Sequence, residues 1–119
     1  MVGWAVCGDG GFIMSIQTLF TGVAEKVPFV VIVWEDKQYG LIKWKQEIHH
    51  KKHSHTELNN PDLAEVAKAI GAHAQSIKTS DEFKPVLRQA LQQKDKPSVI
   101  IVPVDYSENM KLFYHLQKQ

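Results

Sequence analysis

The feature that most constrains this chain is an unbroken apolar run at residues 29–34, Phe-Val-Val-Ile-Val-Trp. Its length and its β-branched residues are typical of a strand. The run does not alternate with polar residues, so neither side of this strand is expected to face water. Strands covered on both sides are typical of parallel sheets that lie between layers of helices. The run therefore predicts an α/β fold.

Strand and helix patterns alternate along the rest of the chain. Residues 2–7 form a second apolar run, predicted as a buried strand that ends in a glycine-rich turn. Helical spacing of apolar residues then predicts a helix over about 15–26. The polar stretch at 47–58 is interpreted as a surface loop after a helical turn. The next helix is expected to begin at the N-cap Asn60 and to end at Gly71.

The C-terminal half continues this alternation. The patterns predict strands at 73–77 and 98–102, a helix over 79–93 and a last helix over 107–116. Together the elements predict a parallel sheet with helices on both faces and right-handed crossovers. Because the first strand lies almost at residue 1, we interpret residues 1–119 as a single partial domain that lacks its first β-α units.

Composition excludes several classes of protein. The 119 residues are 44% hydrophobic and 23% charged, as in soluble globular domains, and 14 basic against 13 acidic residues give a net charge of +1. This balance predicts no nucleic-acid partner and no anionic membrane surface. The apolar runs are too short to cross a bilayer. Without a signal peptide, and with Cys7 as the single cysteine, the chain is expected in the cytoplasm.

Acidic residues follow the first two predicted strands. Asp9 and Asp36 lie 27 residues apart, about one β-α-β repeat. Because parallel strands end at the same edge of a sheet, both carboxylates are expected side by side there. Glycines around Asp9 let backbone amides approach an anion, and the following helix aims its N-terminus at the same place. Two carboxylates beside a phosphate group would suit Mg²⁺. Alternatively, the glycines form only a strand-to-helix turn and Asp36 is a solvated loop residue.

A wider pattern adds a family resemblance. Gly8-Asp9-Gly10, the spacer and the segment at 35–40, Glu-Asp-Lys-Gln-Tyr-Gly, resemble the thiamine diphosphate motif of the thiamine-dependent decarboxylase and synthase superfamily. The resemblance extends over nearly the whole chain. Within the superfamily the sequence is most similar to the large subunit of acetolactate synthases, and it corresponds to part of their C-terminal, thiamine-diphosphate-binding domain.

The resemblance implies a set of cofactor-binding residues. They are Gly8, Asp9, Gly10, Gly11, Asp36, Gln38, Tyr39 and Gly40. Asp9 and Asp36 would bind Mg²⁺ through their side chains, and Gln38 would bind it through its backbone carbonyl. The glycines would lie against the diphosphate of thiamine diphosphate.

The resemblance also implies a reaction and partners. Acetolactate synthases decarboxylate pyruvate and join the product to a second 2-oxo acid, a step of branched-chain amino acid biosynthesis. The acid that protonates the cofactor's aminopyrimidine ring would come from a second subunit of a homo-oligomer. The expected partners are therefore 2-oxo acids, the remaining domains and a second subunit. We assign no catalytic residue to the chain, and alone it is expected to be inactive.

Other functions remain open from the sequence. Related 2-oxo acid decarboxylases and pyruvate oxidases share the same metal and diphosphate residues. A receiver-like signalling domain or a binding module without chemistry would also account for an acidic pocket in this fold. Asp36 and Glu35 stand where asparagine is more usual in the family. Asp36 in this place resembles the fermentative, FAD-independent synthases.

Four weaker features are interpreted structurally. The histidines at 49, 50, 53 and 55 are expected to be solvated rather than to bind a metal. Cys7 is interpreted as a small core residue. Trp34 and Trp44 are expected in core packing or a subunit interface. Gly22 is expected to weaken the first helix by about 1 kcal/mol relative to alanine.

Overall fold

A four-stranded parallel sheet organises the chain in the computed structural model, which describes residues 2–109, 111 and 115. The strand order is β1-β2-β4-β3, and every pair of neighbours is parallel. The parallel α/β architecture is thus confirmed. The strands are β1 (Gly3–Gly8), β2 (Phe29–Glu35), β3 (His73–Ser76) and β4 (Ser98–Pro103).

Helices cover both faces of this sheet, as the alternation of patterns predicts. Helices α1, α2 and α4 pack on one face, and α5 packs on the other. None of the helices in the described part of the chain is long and apolar enough to cross a membrane. The helices are α1 (Asp9–Met14), α2 (Ile16–Ala24), α3 (Gly40–His50), α4 (Leu63–Ile70) and α5 (Ser80–Gln92).

The core consists of two apolar clusters separated by the sheet. Val31 and Val33 of β2 point toward α1, α2 and α4, whereas Val30 and Ile32 point toward α5. All four side chains are buried. Both faces of β2 therefore lie in the core, and this explains why its sequence is apolar at successive positions.

Strand β1 does not fit the prediction of a buried strand. It pairs only with β2 and forms one edge of the sheet. Trp4 is 71% exposed and Val6 is 45% exposed, because no element in the described part of the chain covers that side of β1. The apolar run correctly predicted a strand but not its burial, which depends on neighbours that a local pattern does not show.

Three predicted boundaries also change. The glycine-rich turn is itself the first turn of α1, and the helix predicted over 15–26 is α2, separated from α1 at Ser15. Helix α3 continues to His50, so the polar loop begins only at residue 51. Helix α4 is capped not by Asn60 but by Asp62, whose Oδ1 accepts a hydrogen bond from the backbone N–H of Glu65 at 3.0 Å. The helix predicted over 107–116 falls largely outside the described residues.

Gly22 has a packing reason that the sequence analysis missed. A Cβ atom at this position of α2 would collide with the ring of Phe29 and would lie 2.7 Å from Cγ of Pro97. Both residues belong to the segments that lead into β2 and β4. Glycine therefore allows α2 to lie close to the start of these strands.

We predict that Gly22→Ala destabilises the chain, although helix propensity alone would favour alanine by about 1 kcal/mol. Overpacking against Phe29 and Pro97 should cost about 1–3 kcal/mol and should outweigh that gain. Gly11→Ala is the matched control, because no atom lies within 4 Å of the Cβ position there. Urea unfolding of both variants measures the difference, and equal stabilisation by the two substitutions would contradict the packing argument.

Candidate functional site

A cavity of about 480 Å³ opens beyond the carboxyl ends of β1 and β2. The register of the two strands pairs Gly8 with Trp34, so the residues that follow each strand meet at this edge. All eight residues that the sequence analysis selected line this one cavity; they are Gly8, Asp9, Gly10, Gly11, Asp36, Gln38, Tyr39 and Gly40.

Asp9 is the most enclosed polar group of the site, with 2% of its surface exposed. Its Oδ1 accepts a hydrogen bond from the backbone N–H of Gly10 at 2.8 Å. Its Oδ2 accepts two more at 2.8 Å, from the backbone N–H of Lys37 and from Nδ2 of Asn60. These donors are neutral amides, so they satisfy the oxygen atoms without neutralising the charge. A buried carboxylate of this kind is suited to a cation.

The turn after β2 brings Lys37 to Asp9. Lys37 has a φ of 58°, in the left-handed region that residues with a side chain rarely adopt. In this conformation its N–H donates to Asp9 while its carbonyl accepts from the N–H of Leu58 at 2.8 Å. The strained turn therefore connects the end of β1 with the polar loop.

The loop at residues 51–62 is mostly exposed, as predicted, but part of it also packs onto the site. Glu57 forms an antiparallel bridge with Gln38, and the N–H of Tyr39 donates to the carbonyl of Thr56 at 2.7 Å. Thr56 is 1% exposed. The loop thereby fixes the backbone of Gln38 and Tyr39 at the edge of the cavity.

Asp36 lines the same cavity as Asp9 and is influenced by its charge. Burial, and then the charge of Asp9, raise the pKa of Asp36 above its ordinary value, while hydrogen bonds from Gln38 act in the opposite direction. Burial and both carboxylates also raise the pKa of Tyr106. A Cβ at Gly40 would lie 3.1 Å from Oδ2 of Asp36, so glycine leaves room for this carboxylate. The two aspartates repel one another across the cavity, and a cation between them would remove that repulsion.

The glycines of the site have two different roles. A Cβ at Gly10 would lie 2.7 Å from Cε1 of Tyr39, so Gly10 allows the tyrosine ring to lie against the backbone. No atom lies within 4 Å of the Cβ positions of Gly8 and Gly11, which border the cavity. The open space beside the backbone is what a bulky anion such as a diphosphate needs for close approach. The residues present therefore fit a diphosphate with its cation.

Aromatic residues form another side of the cavity. Trp34, Trp44 and Tyr106 line it, and Trp34 is 42% exposed. Of the two alternatives for Trp34, core packing is wrong, because this residue lies near the end of β2 and lines the cavity, and a subunit interface stays a prediction. The sequence did not indicate that these aromatic residues line the site. It also did not indicate the contact of Asn60 with Asp9, because the place of Asn60 before Pro61 indicated only a helix cap.

The other candidate features do not join the site. In the described part of the chain, no three histidine, cysteine or acidic side chains form a cluster that could hold a metal ion by themselves. Nδ1 of His53 lies 2.8 Å from Oε1 of Glu47 at the surface. Cys7 is half-buried and packs against the core, and burial, followed by the charge of Asp9, raises the pKa of its thiol.

Comparison with known proteins identifies relatives that match the chain over most of its length. Residues 2–102 match the family described as thiamine pyrophosphate enzyme, C-terminal TPP binding domain. Acetolactate synthase from Bacillus subtilis (strain 168) is 37% identical over 108 residues, which are 91% of this chain and 19% of that protein. The catabolic acetolactate synthase of Raoultella terrigena is 31% identical over 112 residues, which are 94% of this chain and 20% of that protein.

A solved structure shares the fold. The crystal structure of benzoylformate decarboxylase from Polynucleobacter necessarius superposes with a TM-score of 0.79 and 32% sequence identity, and the match covers 85% of this chain and 19% of that one. The chain thus spans about one fifth of the length of the curated relatives it matches.

We predict that Asp36→Asn stabilises the chain at pH 7 in the absence of divalent cations. The folded chain raises the pKa of Asp36 above its ordinary 3.8, so folding loses stability as the pH rises from that value through the raised pKa. Asparagine removes this cost. The gain should shrink as the pH falls toward and below 3.8, because the carboxyl then becomes protonated in both states.

Thermal unfolding between pH 3.5 and pH 8 in the presence of a chelator measures this effect. Glu25→Gln, which removes an exposed carboxylate at the end of α2, is the control. A gain for Asp36→Asn that does not depend on pH would contradict the electrostatic explanation.

Proposed function

This chain belongs to the thiamine pyrophosphate enzyme family, as its C-terminal TPP binding domain, and from that premise we propose that the cavity binds the diphosphate of thiamine diphosphate together with Mg²⁺. One observation carries the proposal. The eight residues chosen from the sequence line a single cavity, where the carboxylates that follow two neighbouring strands lie close enough for the charge of one to raise the pKa of the other. Magnesium in such sites is held by one or two carboxylates and by phosphate oxygens.

Three groups of the chain would hold the cation. They are the carboxylates of Asp9 and Asp36 and the backbone carbonyl of Gln38, all at the edge of the cavity. These are hard oxygen ligands of the kind that Mg²⁺ prefers. Because two carboxylates and one carbonyl form a sparse set, tight binding should require the diphosphate oxygens as well.

The chain's own contribution to the chemistry is to bind and orient the cofactor and its cation. Thiamine diphosphate, when bound, supplies the carbon nucleophile for decarboxylation and carboligation of 2-oxo acids. Gly8 and Gly11 leave space beside the backbone for the diphosphate, and the loop at 51–62 holds the backbone of Gln38 against displacement. Trp34 and Trp44 supply the apolar side of the cavity.

We propose that the full-length protein is an acetolactate synthase, which decarboxylates pyruvate and transfers the product to a second 2-oxo acid. The two relatives described above carry that name, and together they match more than nine-tenths of the chain. A 2-oxo acid decarboxylase is the second candidate, because benzoylformate decarboxylase shares the fold at 32% identity.

Several large apolar residues are exposed, and this favours contacts with partners beyond this chain. Trp4 on β1 and Leu41 and Ile42 on α3 are each more than half exposed. We propose that the remaining domains of the enzyme and a second subunit of a homo-oligomer cover them, since single-domain proteins seldom leave such residues in contact with water. The location in the cytoplasm stays a prediction.

We predict that Asp9→Ala and Asp36→Ala each weaken the binding of thiamine diphosphate in the presence of Mg²⁺ by at least about 10-fold, since even the outer-shell partners of metal ligands contribute about 10–100-fold. Isothermal titration calorimetry measures the affinity. The control is Asp81→Ala, which removes an exposed carboxylate in the first turn of α5. Mg²⁺ alone should bind weakly to the unaltered chain. Cofactor affinities that stay unchanged in both variants would show that the cation lies elsewhere.

We also predict that the chain alone does not make acetolactate. The cofactor's ring needs a buried acid with a raised pKa, a general acid–base task that the proposal gives to a second subunit. Asp9 and Asp36 are occupied with the cation at the other end of the cofactor. Incubation with pyruvate, thiamine diphosphate and Mg²⁺, followed by an acetolactate assay, tests this. Turnover near one per second, an ordinary enzymatic rate, would place the acid within this chain.

A further inference from the structure

We propose that Asn60 is a positioning residue, which holds the Asp9 carboxylate in the orientation that binds the cation. This inference rests on the proposed function. Asn60 belongs to the loop before α4, far along the chain from Asp9, and its side-chain amide reaches the site that the ends of β1 and β2 form.

The amide of Asn60 contacts two carboxylates at once. Its Nδ2 lies 2.8 Å from Oδ2 of Asp9 and 3.5 Å from Oε1 of Glu35. Asp9 follows β1 and Glu35 ends β2, so one side chain connects both strands with the loop.

These contacts determine which oxygen of Asp9 remains open. A carboxylate oxygen has two lone-pair directions. At Oδ2 both are used, by the N–H of Lys37 and by Nδ2 of Asn60. Oδ1 accepts only the N–H of the adjacent Gly10 among the described residues. Asn60 therefore leaves Oδ1 as the oxygen for the cation, in the way that hydrogen bonds from outside the metal shell orient metal-ligating carboxylates.

A purely structural role explains Asn60 less well. The N-cap of α4 is Asp62, so the helix does not need Asn60 to begin. Oδ1 of Asn60 is buried and has no hydrogen-bond partner among the described residues. An unpaired buried acceptor costs stability. A residue retained for stability alone would not carry that cost, whereas a residue retained for its donor would.

The test compares Asn60→Ala and Asn60→Leu with two controls. Asn60→Leu removes the donor while roughly preserving the side-chain volume. Asn59→Ala changes the exposed neighbour, and Asp62→Ala removes the cap of α4. We measure thiamine diphosphate binding by calorimetry over a series of Mg²⁺ concentrations, and thermal unfolding without cofactor or cation.

Both Asn60 variants should need about 10–100-fold more Mg²⁺ to reach half-maximal cofactor binding, which is the usual effect of losing an outer-shell partner. Asp62→Ala should lower the melting temperature and leave the Mg²⁺ requirement unchanged. Asn59→Ala should change neither. If the Asn60 variants bind the cofactor at the same Mg²⁺ concentrations as the unaltered chain, the inference is wrong.

A second measurement separates this inference from the proposed function. Amide hydrogen exchange of Lys37 reports the hydrogen bond to Asp9 without any ligand. Without Asn60 the carboxylate keeps two donors instead of three and is held less firmly, so this amide should exchange faster in both Asn60 variants but not in Asp62→Ala. If the unaltered chain binds neither Mg²⁺ nor cofactor, the proposed function fails. The exchange rate of the Lys37 amide then decides whether Asn60 positions the Asp9 carboxylate. Unchanged exchange would then refute the positioning role.

Discussion

The burial of one carboxylate is the constraint on which the arrangement of this molecule depends. Asp9 lies at the end of β1 with almost no exposure, and a buried charge is tolerated only when its oxygen atoms are satisfied. The three donors come from three separate parts of the chain: the start of α1, the turn after β2 and the loop before α4. Moving any one of these segments would leave the charge incompletely paired. The position of Asp9 thus fixes the positions of the others.

The turn after β2 shows the cost of this arrangement. Lys37 adopts a left-handed conformation, which residues other than glycine, asparagine and aspartate seldom do. The conformation lets one residue donate to Asp9 and accept from Leu58 at the same time. The chain tolerates local strain here because the turn joins the loop at 51–62 to the sheet, and strain of this kind is often found at functional sites.

Local patterns predicted the architecture and the pair of carboxylates, and the family resemblance added the other lining residues, but neither showed the contacts between them. The apolar run of β2 is visible in sequence because both faces of one strand are buried. The burial of β1 depends on neighbours across the sheet, so an equally apolar run there gave the wrong expectation. The Asn60-Pro61 pair is compatible with a helix cap or a distant hydrogen bond, and only the folded chain distinguishes them. Gly22 looked like a weak helix residue because its contacts with Phe29 and Pro97 form only when α2 packs against the sheet in the folded chain.

The strand order also determines when the sheet can be completed. β4 is the last of the four described strands in sequence, yet it lies between β2 and β3 and pairs with both. During synthesis β1 and β2 can pair early, whereas β2 has no partner on its other side until residues 98–103 have left the ribosome. Until then the backbone of Val30 to Val33 has no paired strand on that side, and β3 has no neighbouring strand. Long-range parallel pairing of this kind slows folding and leaves apolar strands open to wrong partners. The apolar strand β2 is therefore most exposed to wrong pairing just before β4 emerges.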